Sequence, residues 1–555
     1  MVEQAQTSGA TGRGDVSRSD VSRSASGRRT VRDAAFDVMR RFGLTTIFGN
    51  PGSTEIHFLT DLPSDIEFVL GLHEGSVVGM ATGYAIARGE PVFVNLHTAA
   101  GLGNAINAIA NARDARAPLV VVVGQQDRRQ VAFEPFLTGR HLDRLAGEYP
   151  VWTNLPLRAQ DVPGAIARAY HEAQAAKGPA LLVVPMGDWQ EPADDLAAGA
   201  PDRVLRPRSV APGEVAELAA LIADAESPAI VVGPGADSRE GWDAVVSLAE
   251  RLRCPVWQET FSRRAGFPQD HPLFAGHMPW RRRLVRDALA PHDLVLTVGT
   301  NAFRLYLLDE PGPPVAPGTH VAVITEDPAE AHRSPCELAI VGPVGPVCAA
   351  LAPQVPQRDV TPPEPFQRPP APSPPAPHEP MQAAHVLAAL AQRLPLDAVL
   401  VEETPSSQPE LYRRIAIRAP LGFLGTANGG LGFGLSGSIG LRMGLPDRPV
   451  VGVIGDGSSI YAIQSLWSAA QYKVGVLMIV MANGRYAVMD SLAESVGGGQ
   501  PWPGFANVDV AGLATCFGCP SVRVETHDEL LRTLDEVLPS LAARREPLLL
   551  EVALA

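Results

Sequence analysis

Two stretches decide how this chain reads: Val450-Val451-Gly452-Val453-Ile454-Gly455-Asp456-Gly457-Ser458 and Val474-Gly475-Val476-Leu477-Met478-Ile479-Val480-Met481-Ala482-Asn483-Gly484. Each is an apolar run of strand length that breaks off at a polar residue next to glycine. Uninterrupted apolar runs, rather than alternating ones, mark strands buried on both faces, as in parallel sheets covered by helices. An open parallel sheet gathers its ligands beyond the C-terminal ends of its strands. Asp456 and Asn483 both fall there, 27 residues apart. A carboxylate and an amide oxygen are hard ligands suited to Mg²⁺, with phosphate oxygens completing the shell. The backbone N–H groups of Gly455, Gly457 and Ser458 can approach a diphosphate closely, and the next helix start favours its charge.

The same unit recurs outward from this point. Apolar runs at 91–96, 118–124, 179–185, 228–234, 294–299, 321–325, 398–403, 449–455, 474–481 and 547–552 alternate with amphipathic stretches. In one such stretch Val31, Ala34, Ala35, Val38 and Phe42 share a helix face, with Thr30 as N-cap. The class is α/β, repeated several times. Length points the same way, because 555 residues exceed a single ordinary core and suit about three domains. Two linkers divide the chain, at 193–213 and at 353–380. The second holds 12 prolines in 28 residues and reads as an extended connector. The expected organisation is a disordered tail (1–28) and domains at 29–192, 214–352 and 381–555, each a parallel sheet covered by helices.

Composition narrows the function. A 46% apolar, 19% charged chain is typical of globular proteins, and a net charge of −14 argues against a nucleic-acid surface. There is no apolar run of transmembrane length. The tail has no apolar core of a secretory signal, so the expectation is a cytoplasmic protein without a membrane partner. Five cysteines form no disulfide framework, and Cys516-x-x-Cys519 lacks the second pair of a zinc site. Gly430-Leu431-Gly432-Phe433-Gly434 lacks the strand–turn–helix setting of a dinucleotide fingerprint, which excludes NAD on this reading. The Gly233-Pro234-Gly235 strand end carries no specific FAD signal.

The pair Gly455-Asp456-Gly457-Ser458 and Asn483-Gly484 resembles the metal and diphosphate motif of the thiamine-diphosphate enzymes. That resemblance implies Mg²⁺ held by the side chains of Asp456 and Asn483 and by the backbone carbonyl of Arg485. It implies a glutamate at Glu74, in Leu72-His73-Glu74-Gly75, bonded to N1′ of the aminopyrimidine. Phe48-Gly49-Asn50-Pro51-Gly52-Ser53, Asn95-Leu96-His97-Thr98-Ala99-Ala100-Gly101 and Gly429-Gly430-Leu431-Gly432-Phe433 are similar to segments of the benzoylformate decarboxylases within that family. The resemblance covers nearly the whole chain from about residue 30 and implies the three-domain architecture of thiamine-diphosphate enzymes. It places Ser53 at the substrate carboxylate and His97 in proton transfer. The second, middle-domain histidine falls at His271, with His277 nearby. Gly429 would offer its carbonyl to the 4′-amino group, and Leu431 would be the wedge that bends the cofactor.

The expected substrate pocket is Phe136, Leu137, Pro405, Ser406, Met489 and Leu492. Four of these depart from the relatives: Pro405 stands for threonine, Phe136 for leucine, Met489 for leucine and Leu492 for phenylalanine. The implied reaction is non-oxidative decarboxylation of a small-molecule 2-oxo acid, with phenylglyoxylate (benzoylformate) the best guess. Two rivals are a carboligase or acetohydroxyacid-synthase-like enzyme and a degenerate regulatory homologue. Glu74 and Asp456 come from different subunits in the family, which implies at least a homodimer and, by resemblance, a homotetramer.

Overall fold

The strand pairings within the three sheets are all parallel, as continuous apolar runs require. The structure, a computed structural model, describes residues 28–194, 200–261, 263–376 and 378–555. The expected tail, apart from Arg28, lies outside the described residues.

The first sheet contains β1 (Thr46–Gly49), β2 (Glu67–Leu70), β3 (Val92–Leu96), β4 (Leu119–Gln125), β5 (Trp152–Asn154) and β6 (Pro179–Pro185), in the order β2-β1-β3-β4-β6-β5. The middle sheet contains β7 (Pro228–Val232), β8 (Val256–Gln258), β9 (Phe274–His277), β10 (Leu294–Val298), β11 (His320–Thr325) and β12 (Leu338–Val341), in the order β12-β11-β10-β7-β8-β9. The third contains β13 (Val399–Glu403), β14 (Phe423–Gly425), β15 (Val450–Gly455), β16 (Leu477–Ala482), β17 (Ser521–Val524) and β18 (Leu548–Ala553), in the order β14-β13-β15-β16-β18-β17. The first and third sheets thus share one topology.

The first helix, Val31–Arg41, starts as its sequence dictates. Thr30 caps it, accepting from the Asp33 N–H, while the Asp33 carboxylate accepts from the Thr30 N–H at 2.9 Å. The first and third domains share one core, running from Phe48, Met80, Val94 and Val121 to Val401, Ile439, Val450 and Met478. At its centre helix Glu74–Arg88 lies against helix Gly434–Gly444 with almost no side chain between them. A methyl on Gly83 would come within 2.2 Å of the Gly437 carbonyl oxygen, and one on Gly440 within 1.8 Å of that of Met80. Glycine is needed at both because the backbones themselves touch. The two helices run side by side in the same direction, Gly79 meeting Ser436 at one end and Ala87 meeting Gly444 at the other.

In the proline-rich connector, residues 359–376 contain neither helix nor strand. Phe366 stacks edge-on against Phe274, and Arg368 donates to the carbonyls of Gln269 and Tyr412. Cys519 is buried, its thiol pushed up to about 12 by burial, whereas Cys516 is exposed, so only half of the CxxC pair packs in the core.

Candidate active site

Three strand ends of the first sheet converge on one acidic group. Helix Glu74–Arg88 follows β2, and its first residue, Glu74, is buried. Its carboxylate accepts from Asn50 Nδ2 at 3.1 Å, from the loop after β1, and from Asn104 Nδ2 at 3.0 Å, on helix Thr98–Asp114 after β3. Ser53 is exposed on the β1 loop. His97 ends β3 and is only 15% exposed, with Nδ1 3.0 Å from Glu55 Oε2 and 2.9 Å from Thr54 Oγ1. Thr98 follows with φ of 40°, a left-handed backbone that is costly for a β-branched residue and marks a constrained site.

The third sheet carries a second group of candidate residues. Asp456, just past β15, is buried, and burial raises its proton affinity against the opposing pull of its backbone donors. Its two oxygens accept from Gly457 N at 2.7 Å and Gly484 N at 2.6 Å. Asn483, just past β16, shares a cavity of ≈ 160 Å³ with Asp456, and its side-chain oxygen accepts from Arg485 N at 3.2 Å. A carboxylate and an amide line this cavity, a donor set that fits a hard divalent cation needing further oxygens from a phosphate. The described residues contain no cluster of three His, Cys, Asp or Glu that would suit another metal.

Beside this cavity lies a larger cleft of ≈ 500 Å³. Gly429 and Leu431 form one side. Gly429 has φ of 79°, a conformation that favours glycine. Leu431 is half-buried, and its carbonyl accepts from Asn107 Nδ2 at 3.1 Å. Asn104 and Asn107, one helical turn apart, therefore hold Glu74 and the Leu431 loop from the same helix face. Glu403, at the end of β13, braces that loop by accepting from Gly432 N at 2.6 Å and from Gly434 N. Burial pushes its carboxyl up to about 8.

The expected pocket residues fall into two groups. Pro405, Met489 and Leu492 line the cleft. Ser406 accepts from Val488 N at 3.1 Å beside it. Phe136 and Leu137 stand instead on the first domain, in a loop tied to the end of β4 through Gln125 and Gln126. Phe136 is 87% exposed. Neither they nor Ser53, Glu74 and His97 line the ≈ 500 Å³ cleft within the single chain.

His271 is not brought to the cleft. Its Nδ1 accepts from Leu273 N, closing a local turn at the His-Pro step, and its Nε2 faces Glu250 at 3.4 Å. His277 is half-buried, stacked on Tyr412 at 4.1 Å. The middle domain's contribution to the cleft comes from the loop after β10, as Arg304, Leu305 and Tyr306, together with Phe261. Tyr306 packs edge-on against Phe261 and Trp280. Sequence reasoning missed Tyr306, Glu55 and Glu403. Glu403 ends an apolar run beside the expected Pro405, a signal that could have exposed it.

Three α/β domains, with a buried carboxylate and an amide just past two strands of one sheet and a buried helix-start glutamate past a strand of another, have the architecture of a cofactor-dependent enzyme whose parts lie on separate domains. Residues 29–144, 215–351 and 406–552 match the N-terminal TPP binding domain, central domain and C-terminal TPP binding domain of the thiamine pyrophosphate enzymes. The chain is 38% identical to a benzoylformate decarboxylase of Pseudomonas aeruginosa, over 94% of this chain and 98% of that one. A thiamine diphosphate-dependent 4-hydroxybenzoylformate decarboxylase of Rhodococcus jostii superposes with a TM-score of 0.89 at 35% identity, covering 94% of this chain and 99% of that one. A benzoylformate decarboxylase of Polynucleobacter necessarius superposes with a TM-score of 0.88 at 32% identity, covering 94% and 98%. The chain belongs to the thiamine pyrophosphate enzyme family.

Proposed function

We propose that the chain catalyses non-oxidative decarboxylation of an aromatic 2-oxo acid, phenylglyoxylate to benzaldehyde and CO₂, with thiamine diphosphate and one Mg²⁺. The observation that carries this is the cleft beside Gly429 and Leu431. Its walls at Phe261, Leu305, Pro405, Met489 and Leu492 are apolar, and Tyr306 adds a phenol. An aryl group fills such a space, whereas a methyl group leaves apolar wall uncovered. The similarity to benzoylformate and 4-hydroxybenzoylformate decarboxylases supports the same substrate class.

Asp456 and Asn483 would hold Mg²⁺ through their side chains, and Arg485 through its carbonyl. The N–H groups of Gly455, Gly457 and Ser458 would face the diphosphate. Glu74, steadied by Asn50 and Asn104, would exchange a proton with the aminopyrimidine, Gly429 would accept from its amino group, and Leu431 would hold the cofactor bent. The bound cofactor supplies a carbon nucleophile and a sink for the electron pair that CO₂ leaves behind. The chain supplies position and protons. Ser53 donates to the substrate carboxylate, and His97 delivers the proton that replaces CO₂ on the former 2-oxo carbon. We place Tyr306, rather than His271, at the middle-domain side of the substrate.

Glu74, His97 and Phe136 stand on a different domain from the cleft they would serve, and Phe136 is bare in the single chain. A second copy would bring these groups to the cleft, so the working unit is at least a homodimer, and a homotetramer by resemblance. No described helix is long and apolar enough to cross a membrane. The cysteines are free, which suits a reducing cytoplasm. The reading is tested by incubating the loaded protein with phenylglyoxylate, with and without added acetaldehyde. Benzaldehyde as the main product in both supports a decarboxylase; a hydroxyketone as the main product moves the chain to the carboligases.

A further inference from the structure

The loop that carries Ser53 also holds a buried carboxylate with no role so far. Glu55 is 1% exposed. Its Oε2 accepts from Gly52 N at 2.8 Å and lies 3.0 Å from His97 Nδ1. Its Oε1 accepts the Thr54 hydroxyl at 2.5 Å, and Thr54 Oγ1 is in turn 2.9 Å from the same His97 Nδ1. Counting protons decides the direction of these bonds. A carboxylate has none to give, and the single hydroxyl proton of Thr54 is already on Glu55. Both neighbours of Nδ1 can therefore only accept, so Nδ1 carries hydrogen and Nε2 is the nitrogen left to take up or release a proton.

The slot is shaped for this pair. A side chain at Gly52 would overlap the His97 ring at 2.3–2.5 Å, and one at Gly124 would overlap Glu55 Oε1 at 1.9 Å. Two glycines from two different strand ends thus make room for one histidine and one glutamate. We propose that Glu55 is a positioning residue. It fixes the Nδ1–H tautomer of His97, steadies the ring when it is cationic, and leaves Nε2 to pass the proton that replaces CO₂. This rests on the reading that His97 serves the proposed decarboxylation. The step balances: the electron pair of the broken C–C bond ends in the aldehyde C–H bond, and solvent reloads Nε2.

Two measurements test it. Magic-angle-spinning ¹⁵N spectra of histidine-labelled parent protein, with the His97 signals assigned by their loss in His97→Asn, should show the Nδ1–H form when the ring is neutral. An Nε2–H form overturns the dyad and leaves the reaction class standing, and this readout needs no Glu55 variant to fold. The second is a cycle of Glu55→Gln, His97→Ala and the double variant. Glu55→Gln should lower kcat about 10- to 100-fold, with KM within about threefold, and should add less than about twofold once His97 is alanine. Equal losses in both backgrounds make Glu55 merely structural and overturn the proposal. His97→Ala at parental turnover overturns the reading of His97 itself, even with the tautomer as expected.

Discussion

Asp456→Asn is the sharpest perturbation of the cofactor seat, because it keeps the shape and removes the charge. In the native site the two carboxylate oxygens each take one backbone donor, Gly457 N at 2.7 Å and Gly484 N at 2.6 Å. An amide has one oxygen, so one of these N–H groups is left facing an NH₂. Hydrogen bonds to charged groups contribute about 1.5–3 kcal/mol each. The lost charge would also have faced the proposed divalent cation: a unit pair about 4 Å apart is worth about 4 kcal/mol at an effective dielectric of ~20. Part of this is offset by the lower cost of burying an uncharged group, so a net loss of about 2–4 kcal/mol is expected. That corresponds to about 30- to 1000-fold weaker binding of thiamine diphosphate at fixed Mg²⁺. Calorimetric titration of the apo protein measures it, and a melting curve of the apo variant separates binding from unfolding. A dissociation constant within about threefold of the parent, with an unchanged melting curve, refutes Asp456 as a metal ligand.

Three further outcomes are expected. Glu74→Gln and Asp456→Asn, each inactive alone, should regain about a quarter of parental turnover when mixed and allowed to exchange subunits, because half the dimers then hold one intact site; no recovery in proven heterodimers contradicts a site shared between copies. Burial, helped by the nearby Arg368 charge, holds His277 down to about 3, so its neutral form stabilises the fold above its unfolded value of 6.5 and that contribution is lost as pH falls toward 3. Between pH 7 and 4.5 the parent should therefore lose about 2–3 kcal/mol more unfolding free energy than His277→Phe, which keeps the stack on Tyr412; denaturant unfolding at both pH values checks this, and equal losses refute it. Leu492→Phe fills the cleft wall and should shift kcat/KM toward phenylglyoxylate over 2-oxo-4-methylpentanoate by about 10-fold, from a discrimination of about 1–3 kcal/mol; an unchanged ratio removes Leu492 from the substrate pocket.

The apolar runs at 91–96, 118–124, 179–185, 228–234, 294–299, 321–325, 398–403, 449–455, 474–481 and 547–552 correspond to β3, β4, β6, β7, β10, β11, β13, β15, β16 and β18. Each of these strands has five or more residues. The strands that went unread have three or four, and six of them, β2, β5, β9, β12, β14 and β17, are the sheet edges. An edge strand has one neighbour, so it is short and partly polar, and periodicity has little to register. The same contrast holds in the site. Asp456 and Asn483 stand out as candidates in the sequence because each follows its own strand directly. Glu55 was not, because its meaning lies in a contact with His97, 42 residues further along the chain. At His271 the histidine-proline pair closes a local turn, and His271 does not line the cleft of the single chain. Tyr306 was hidden because the loop after β10 has no local pattern that marks a cleft wall.

On the proposed function, this cleft removes CO₂ from an aromatic 2-oxo acid and returns the aldehyde. The direct measurement is parallel quantitation of CO₂ and benzaldehyde from phenylglyoxylate, with pyruvate as comparison, using protein loaded with thiamine diphosphate and Mg²⁺. Equal amounts of CO₂ and benzaldehyde and a much lower kcat/KM for pyruvate are expected. Faster turnover of pyruvate, with acetolactate as its product, would contradict the proposed function.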